Sequence, residues 1–335
     1  MATIKDVAKL AGVSVGTVSN VLNGRAGVSE KRAKKVWDAI ARLEFHQNHA
    51  AKSLRTGTTQ TLGLIIPDIV NPYYPEIARG VEDRAAEQGY NVLICNSDRI
   101  TAKEQSCMEQ LIARGVDGII DVKPSLSADQ IYRYSEDRPI VLVDSYYESR
   151  DNVSSIKLDF REVLLAAYNK AYDMGHRHFA YIGGGLSSMN DIKRFETFTE
   201  FVREAGLPEN QVQVFMGSFS GEYGSLIVSQ MVNSHVFPTI IFCASDIIAI
   251  GVLNSLMRNG VSVPDEVSVV GFDNIWASDL TTPRLTTIDV PKHELGVEAA
   301  AALLNKLNGG SEEPARETVP VSFLQRESMA ACRLN

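Results

Sequence analysis

TIKDVAKLAGVSVGTVSNVLN, residues 3–23, reads as two short helices joined by a tight turn. Thr3 and Asp6 form a capping-box pattern, a hydroxyl and a carboxylate that satisfy the free N–H groups at a helix start. Ile4, Val7, Ala8 and Ala11 follow at i, i+3, i+4 and i+7 and make one buried stripe. Gly12 supplies the backbone freedom of a helix end, and Ser14 is placed to cap the next helix. On that second helix Val18, Val21 and Leu22 face inward, while Gly16, Asn20 and Asn23 face out with Val15 at the leading edge. Two short helices around a glycine-containing turn are the helix-turn-helix, whose second helix is narrow enough to enter a DNA major groove.

The alternative is a helical hairpin that merely packs on another element, and charge opposes it. Residues 1–60 hold ten Lys/Arg against four Asp/Glu, a net of +6, whereas the other 275 residues hold 23 against 37, a net of −14. A basic head on an acidic body puts phosphate attraction at one end and keeps the body from sticking to DNA nonspecifically. A third helix fits residues 30–44, with Ser29 as its cap and Ala33, Val36, Trp37, Ile40 and Leu43 on one face. Trp37 is the expected anchor of a three-helix core. Lys31, Arg32, Lys34 and Lys35 crowd its first turns and suit phosphate contact. Residues 45–60, FHQNHAAKSLRTGTTQ, contain one brief helical signal in Ala50, Ala51 and Leu54. A helix this short is not stable alone in water. An apolar wedge beside Lys52 and Arg55 is what minor-groove binders insert between base steps.

From residue 61 strands and helices alternate. The strand candidates are Leu62–Ile66, Tyr90–Ile94, Gly118–Val122, Ile140–Val143, Ser155–Leu158, Phe179–Ile182, Val212–Phe215, Thr239–Phe242 and Val267–Gly271. Amphipathic stretches lie between most of them: Pro75–Gln88, Lys103–Arg114, Arg161–Met174, Lys193–Ala205 and Ile247–Asn259. Apolar strands alternating with helices mean parallel sheets. The number of strands points to two α/β subdomains, the first from about 61 to 160 and the second from about 161 to 290. A helix over Pro291–Leu307 and strands near Thr318–Val321 and Ser322–Gln325 form a tail that is expected to cross back and complete both sheets.

Several function classes find no support. No apolar run approaches the roughly 20 residues of a membrane helix, and a capped amphipathic helix at the start argues against a signal peptide. Cys95, Cys107, Cys243 and Cys332 lie far apart without C-x-x-C or zinc-type histidine spacing, so buried thiols in a reducing cytoplasm are expected. His176 and His178, in an H-R-H triplet, read as structural. There is no Walker A, no G-x-S-x-G and no metal-ligand spacing. Gly183-Gly184-Gly185 does not meet the dinucleotide pattern. Neither an enzyme nor a cofactor is expected, and an exported solute-binding protein would need a leader.

The head resembles that of the LacI/GalR family of bacterial transcriptional repressors in Asp6-Val7-Ala8, Ala11-Gly12-Val13-Ser14 and Thr17-Val18-Ser19. The body resembles that family's effector domain in Ser245-Asp246-Ile247-Ile248-Ala249-Ile250-Gly251, in Gly260 and Val263-Pro264, and in Ser268-Val269-Val270-Gly271-Phe272-Asp273. The similarity runs from Thr3 to about Arg326. It implies a helix-turn-helix head over 1–46 and a hinge helix and linker over 47–60. A body of the type I periplasmic-binding-protein-like fold follows, with one subdomain of 61–160 plus 291–320 and another of 161–290 plus 321–330. It also implies a cytoplasmic homodimer on a near-palindromic operator, with a small effector between the subdomains of each chain. A global regulator governed by a phosphoprotein partner is the alternative within the class. The chain stops at Asn335 without leucine heptads, which favours a dimer over a tetramer.

Carried over by position, Val15, Gly16 and Asn20 are base readers. Asn20 suits an adenine edge and Val15 a thymine methyl, but Gly16 has no side chain to read with. Thr17 and Ser19 hold phosphates, Leu54 is the intercalating leucine and Ala51 its minor-groove neighbour. Thr3, Asn23 and Arg55 complete the candidate DNA contacts. The family's usual proline before the hinge asparagine is replaced by Gln47 before Asn48, which implies a less rigid entry to the hinge.

Ligands of open parallel sheets sit beyond the carboxyl ends of the strands. Asp68, Asp144, Asn190, Phe219, Ser245, Asp246 and Asp273 fall there, and such a mixture suits a sugar. The resemblance makes Arg194 and Asp273 ligand clamps, Asp144 and Ser245 polar contacts, and Tyr73 and Phe219 aromatic walls. Capping or strand-end bonding remains the alternative for Asp246 and Asp273, and a surface position for Arg194. Trp276 faces either the pocket or the dimer edge. Where purine-binding family members carry an arginine and a threonine, this chain has Ser188 and Asn190, which favours a carbohydrate over a purine.

Overall fold

The computed structural model describes residues 2–22, 27–45, 57–150, 152–186, 188–234, 236–310 and 318–333. The chain divides into two compact units, Met1–Thr59 and Gln60–Asn335.

In the first unit, helices α1 (Ile4–Ala11), α2 (Val15–Leu22) and α3 (Glu30–Arg42) enclose a small core of Val7, Ala8, Ala11, Val18, Val21, Val36 and Ala39. The capping box forms: Thr3 N donates to Asp6 Oδ2 at 2.8 Å, and Asp6 N to Thr3 Oγ1 at 3.4 Å. Gly12 ends α1 in the left-handed region (φ 66°), and Thr17 N donates to Ser14 Oγ at the start of α2. Of two expectations for α3, one holds by position and one fails. Ser29 is the N-cap residue, but its hydroxyl makes no capping bond; its carbonyl accepts from Ala33 N instead. Trp37 is not the anchor and is 51 % exposed. It lies one residue, about 100° of helix, from Val36, so the stripe through Val36, Ala39, Ile40 and Leu43 turns it outward.

In the second unit a six-stranded parallel sheet has the order β11-β5-β4-β3-β1-β2. These are β1 (Thr61–Ile66), β2 (Asn91–Asn96), β3 (Gly118–Val122), β4 (Ile140–Val143), β5 (Val153–Asp159) and β11 (Thr318–Pro320). A four-stranded parallel sheet, β7-β6-β8-β9, comprises β6 (Phe179–Gly183), β7 (Val212–Met216), β8 (Ile240–Cys243) and β9 (Ser268–Val270). The inner strands β3, β4 and β8 are buried along their whole length, as the apolar runs of β4 and β8 require, and β3 buries Asp121 among its apolar residues. Helices α4 (Tyr73–Ala86), α5 (Thr101–Ala113), α6 (Ala128–Tyr134), α7 (Arg161–Asp173), α8 (Met189–Glu204), α9 (Gly221–Ser234), α10 (Asp246–Arg258) and α11 (Lys292–Leu307) cover the sheets.

The tail behaves differently from expectation in one respect. β11 joins β5, but β12 (Ser322–Leu324) pairs antiparallel with β10 (Thr287–Asp289) as a separate ribbon. The residues after β12 supply the bonds to the second sheet: Val269 N donates to Ser328 O at 2.8 Å, and the His176 ring lies 2.9 Å from Ala330 O. His176 is buried and also meets Thr239 Oγ1, a structural position, and burial lowers its pKa. All four cysteines are free thiols, Cys107 and Cys243 being buried. No described helix is long and apolar enough to cross a membrane.

Helix α11, from late in the chain, packs on α4, from early in it. A Cβ on Gly80 would stand 2.1 Å from His293 O, and one on Gly296 2.1 Å from Ile77 O, backbone atoms that cannot swing aside. Gly80→Ala gains about 1 kcal/mol of helix propensity but must push the two helices apart, at a cost of about 2–3 kcal/mol. A lower melting temperature of the full chain is the expected result.

Candidate functional site

On the head, α2 presents Val15, 41 % exposed, and Gly16 to solvent, with Asn20 half-buried behind them. Val18 and Val21 fix that face by burying the other. The Thr17 hydroxyl lies 2.9 Å from Ser14 Oγ, and Ser19 is half-buried. Lys31, Arg32, Lys34 and Lys35 are exposed on α3. Thr3 is exposed but already engaged in the capping box. Asn23, Ala51, Leu54 and Arg55, with the hinge over 47–56, lie outside the described residues.

In the second unit, polar side chains meet beyond the carboxyl ends of both sheets. Lys123 follows β3, Asp144 follows β4 and Asp273 follows β9, and all three take positive φ (54°, 54° and 116°). That backbone is costly for residues with a Cβ and is found where a side chain must be aimed. Lys123 Nζ pairs with Asp144 Oδ2 at 3.2 Å, both buried, and lies 5.4 Å from the centre of the Tyr73 ring. Asn190, in the first turn of α8, donates across the cleft to Asp144 Oδ1 at 2.5 Å and to its carbonyl. Four residues on, Arg194 is buried with its guanidinium 3.7 Å from the centre of the Phe272 ring and 5.6 Å from that of Phe160, and Nη1 donates to Ala244 O.

What remains unmet is informative. Among the described residues, Tyr73 Oη, Asn190 Oδ1, both Asp191 carboxylate oxygens and Arg194 Nε and Nη2 find no hydrogen-bond partner, and Asp144 Oδ2 has only its ion pair. Buried polar groups are nearly always paired in native proteins. Donors and acceptors left together, from both halves of the unit, make this the candidate ligand site. Burial, with Asp144 and Asp273 nearby, holds the Tyr73 phenol well above its usual pKa, so it stays a donor. Burial also pushes Asp273 up to about 6, against the pull of Arg194, Lys123 and Lys292.

Four expected contacts are placed otherwise. Asp246 has both oxygens engaged: Oδ1 accepts from Thr287 Oγ1 at 2.6 Å and Oδ2 from Ile275 N at 2.9 Å. It therefore pins β10 and the loop after β9, the strand-end role open to it. Asp68 closes its own turn by accepting from Val70 N, and Ser245 caps α10 by accepting from Ile248 N. Phe219 offers no open wall. Its ring lies so close over Gly184 that a Cβ there would stand 2.0 Å away, and the Arg99 guanidinium sits 4.5 Å from its centroid while donating to Tyr74 Oη. Trp276 is 63 % exposed on a separate groove of about 890 Å³. There Asn274 bonds Asp289, and Lys292 bonds three carbonyls.

Sequence reasoning missed Lys123, Asp191 and Arg99. Lys123 directly follows the end of an inner strand, β3, which is a usable signal. Asp191 looks like an ordinary first-turn acid of a helix, and nothing in the sequence brings Arg99 to Phe219.

The folded state holds the Asp273 proton more tightly than the unfolded chain. Its contribution to stability is complete below about pH 4 and is lost as pH rises through about 6. Asp273→Asn should remove about 2–3 kcal/mol of that loss, read as a flatter plot of melting temperature against pH between 4 and 7. Asp246 and Asp121, also raised by burial, leave a residual slope of the same sign.

Two family models match the chain: residues 3–48 fit bacterial regulatory proteins of the lacI family, and residues 59–327 fit periplasmic binding proteins and the sugar-binding domain of the LacI family. The HTH-type transcriptional repressor PurR of Actinobacillus pleuropneumoniae serotype 3 is 36 % identical over 307 residues, 92 % of this chain and 91 % of that one. The Lac repressor dimer bound to operator and the anti-inducer ONPF superposes with a TM-score of 0.86 at 25 % identity, over 98 % of this chain and 99 % of that one. A LacI family transcriptional regulator from Enterococcus faecium with bound ribose gives 0.72 at 28 % identity, over 82 % of this chain and 100 % of that one. Repressors of this family bind operator DNA and small-molecule effectors as dimers and are not enzymes. The chain belongs to the LacI family of bacterial regulatory proteins and is a DNA-binding transcriptional repressor under effector control.

Proposed function

We propose that this repressor acts in the cytoplasm as a homodimer on a near-palindromic operator, and that its effector is a sugar or sugar derivative held between the two sheets. One observation carries the carbohydrate reading. The unmet groups around Arg194, Asn190, Asp191 and Tyr73 are donors and acceptors in mixture, which is what a ring of hydroxyls answers. The E. faecium regulator with bound ribose supports it.

On this reading Val15 and Asn20 read bases with Gly16 letting the backbone come close, Thr17 and Ser19 hold phosphates, and Leu54 wedges between base steps. The effector competes for groups that join the two sheets, above all the Asn190–Asp144 bond, and so alters their relative orientation. That change separates the paired hinges and releases DNA. A coupling of about 3 kcal/mol changes operator affinity more than a hundredfold.

The test combines selection of operator duplexes from a random pool with a thermal-shift panel of mono- and disaccharides and purine bases. Asn20→Ala should lose about 1–3 kcal/mol of discrimination at one base pair, and Leu54→Ala should weaken operator binding while sparing sugar binding. Asp273→Ala should stay on the operator at sugar concentrations that release the parent protein. A melting shift with a purine base and none with any sugar would refute the carbohydrate assignment, and a chain with no preferred duplex would refute the whole reading.

A further inference from the structure

Asp191 stands apart from the other charges of the cleft. It sits in the first turn of α8, 4 % exposed, and neither carboxylate oxygen has a hydrogen-bond partner among the described residues. The cations that feel its charge are Lys123, at the end of β3, and Arg194, three residues further along α8. Lys123 pairs with Asp144 at 3.2 Å, and Arg194 donates through Nη1 to Ala244 O at 2.8 Å while its Nε and Nη2 stay unmet. Lys292, the other buried lysine nearby, is held by three carbonyls and by Glu76 at 3.6 Å. Asp144, Asp191 and Asp273 are all buried, and Lys123, Arg194 and Lys292 are the buried cations that act on one or another of them.

An ionised carboxylate kept out of water without a partner is among the costlier features a fold can carry. Two acceptor oxygens on one rigid group fit two neighbouring donors on a ligand. A phosphate or carboxylate group brought against Asp191 would add repulsion at short range and low dielectric.

Resting on the carbohydrate reading above, we infer that Asp191 is the effector's selectivity anchor: its two oxygens accept from adjacent hydroxyl or amino groups of a neutral or amino sugar, and its charge rejects phosphorylated and uronic sugars. Arg194 Nε and Nη2 and Asn190 Oδ1, also without partners, complete the same wall.

The test uses the full-length protein and Asp191→Asn. Both are melted without ligand and then titrated by calorimetry with neutral hexoses and pentoses, amino sugars, hexose 6-phosphates, uronates and purine bases. Relief of the unpaired charge should raise the melting temperature of the ligand-free variant by about 2 °C or more. Affinity for the neutral or amino sugar that binds the parent should fall by about 10- to 100-fold, while the phosphate or uronate of that sugar binds the variant better than the parent. A ligand-free variant no more stable than its parent overturns the inference. So does a variant that binds the parent's sugar within about twofold, or a parent that prefers the phosphorylated sugar. If a purine base binds the parent and is lost from the variant, Asp191 stands as the anchor and the carbohydrate reading alone falls.

Discussion

Two sheets of the larger unit meet at one buried carboxylate. Asp144 takes Lys123 from its own sheet and Asn190 from the helix that follows β6 in the other. An ion pair inside a protein repays its desolvation only while its hydrogen bonds are complete, so any change that moves α8 relative to β4 has to break that arrangement or replace it. A ligand that supplies replacement bonds in one orientation and not the other shifts the balance between them, and differential contact of that kind is all that effector control requires.

The acids at the strand ends divide by what surrounds them. Asp246 is saturated by Thr287 and the Ile275 amide and ties β10 to the loop after β9. Asp273, five residues before Ser278, projects toward Arg194 and Lys123. Asp191 has no hydrogen-bond partner for either oxygen among the described residues. Residues of one chemical type, at equivalent ends of neighbouring strands and helices, thus differ in whether they hold the frame or keep oxygens that the fold leaves unmet. Which of these each does depends on whether the fold supplies its donors.

Much of this was legible in the sequence because it is local. The capping box at Thr3 and Asp6, the stripe of α1, the turn at Gly12 and the runs that became β3 and β4 are properties of consecutive residues, and each appears where periodicity puts it. The failures lie where a neighbour from far along the chain decides. Trp37 was grouped with the core although it is off the Val36 stripe. Phe219 lost its expected open face to Gly184 and Arg99, and β12 paired with β10 because the tail crosses the second sheet beyond its own strand. Of the cleft, Tyr73, Asp144, Asn190, Arg194 and Asp273 were nameable from strand ends and resemblance. Lys123 and Asp191 were not, since a charge reveals itself only when its partners, or their absence, are known.

The first sheet is finished by the end of the chain. Helix α11 and strand β11, both after residue 290, lock onto α4 and β5. During vectorial synthesis the ribosome therefore completes the whole second sheet before the first has its last strand or its covering helix. The earlier half must wait, partly open, through the making of roughly half the polypeptide, with β5 exposed as an edge and the Gly80 face of α4 bare. For this repressor, maturation of the first-made half is coupled to translation of the residues from 292 to 320.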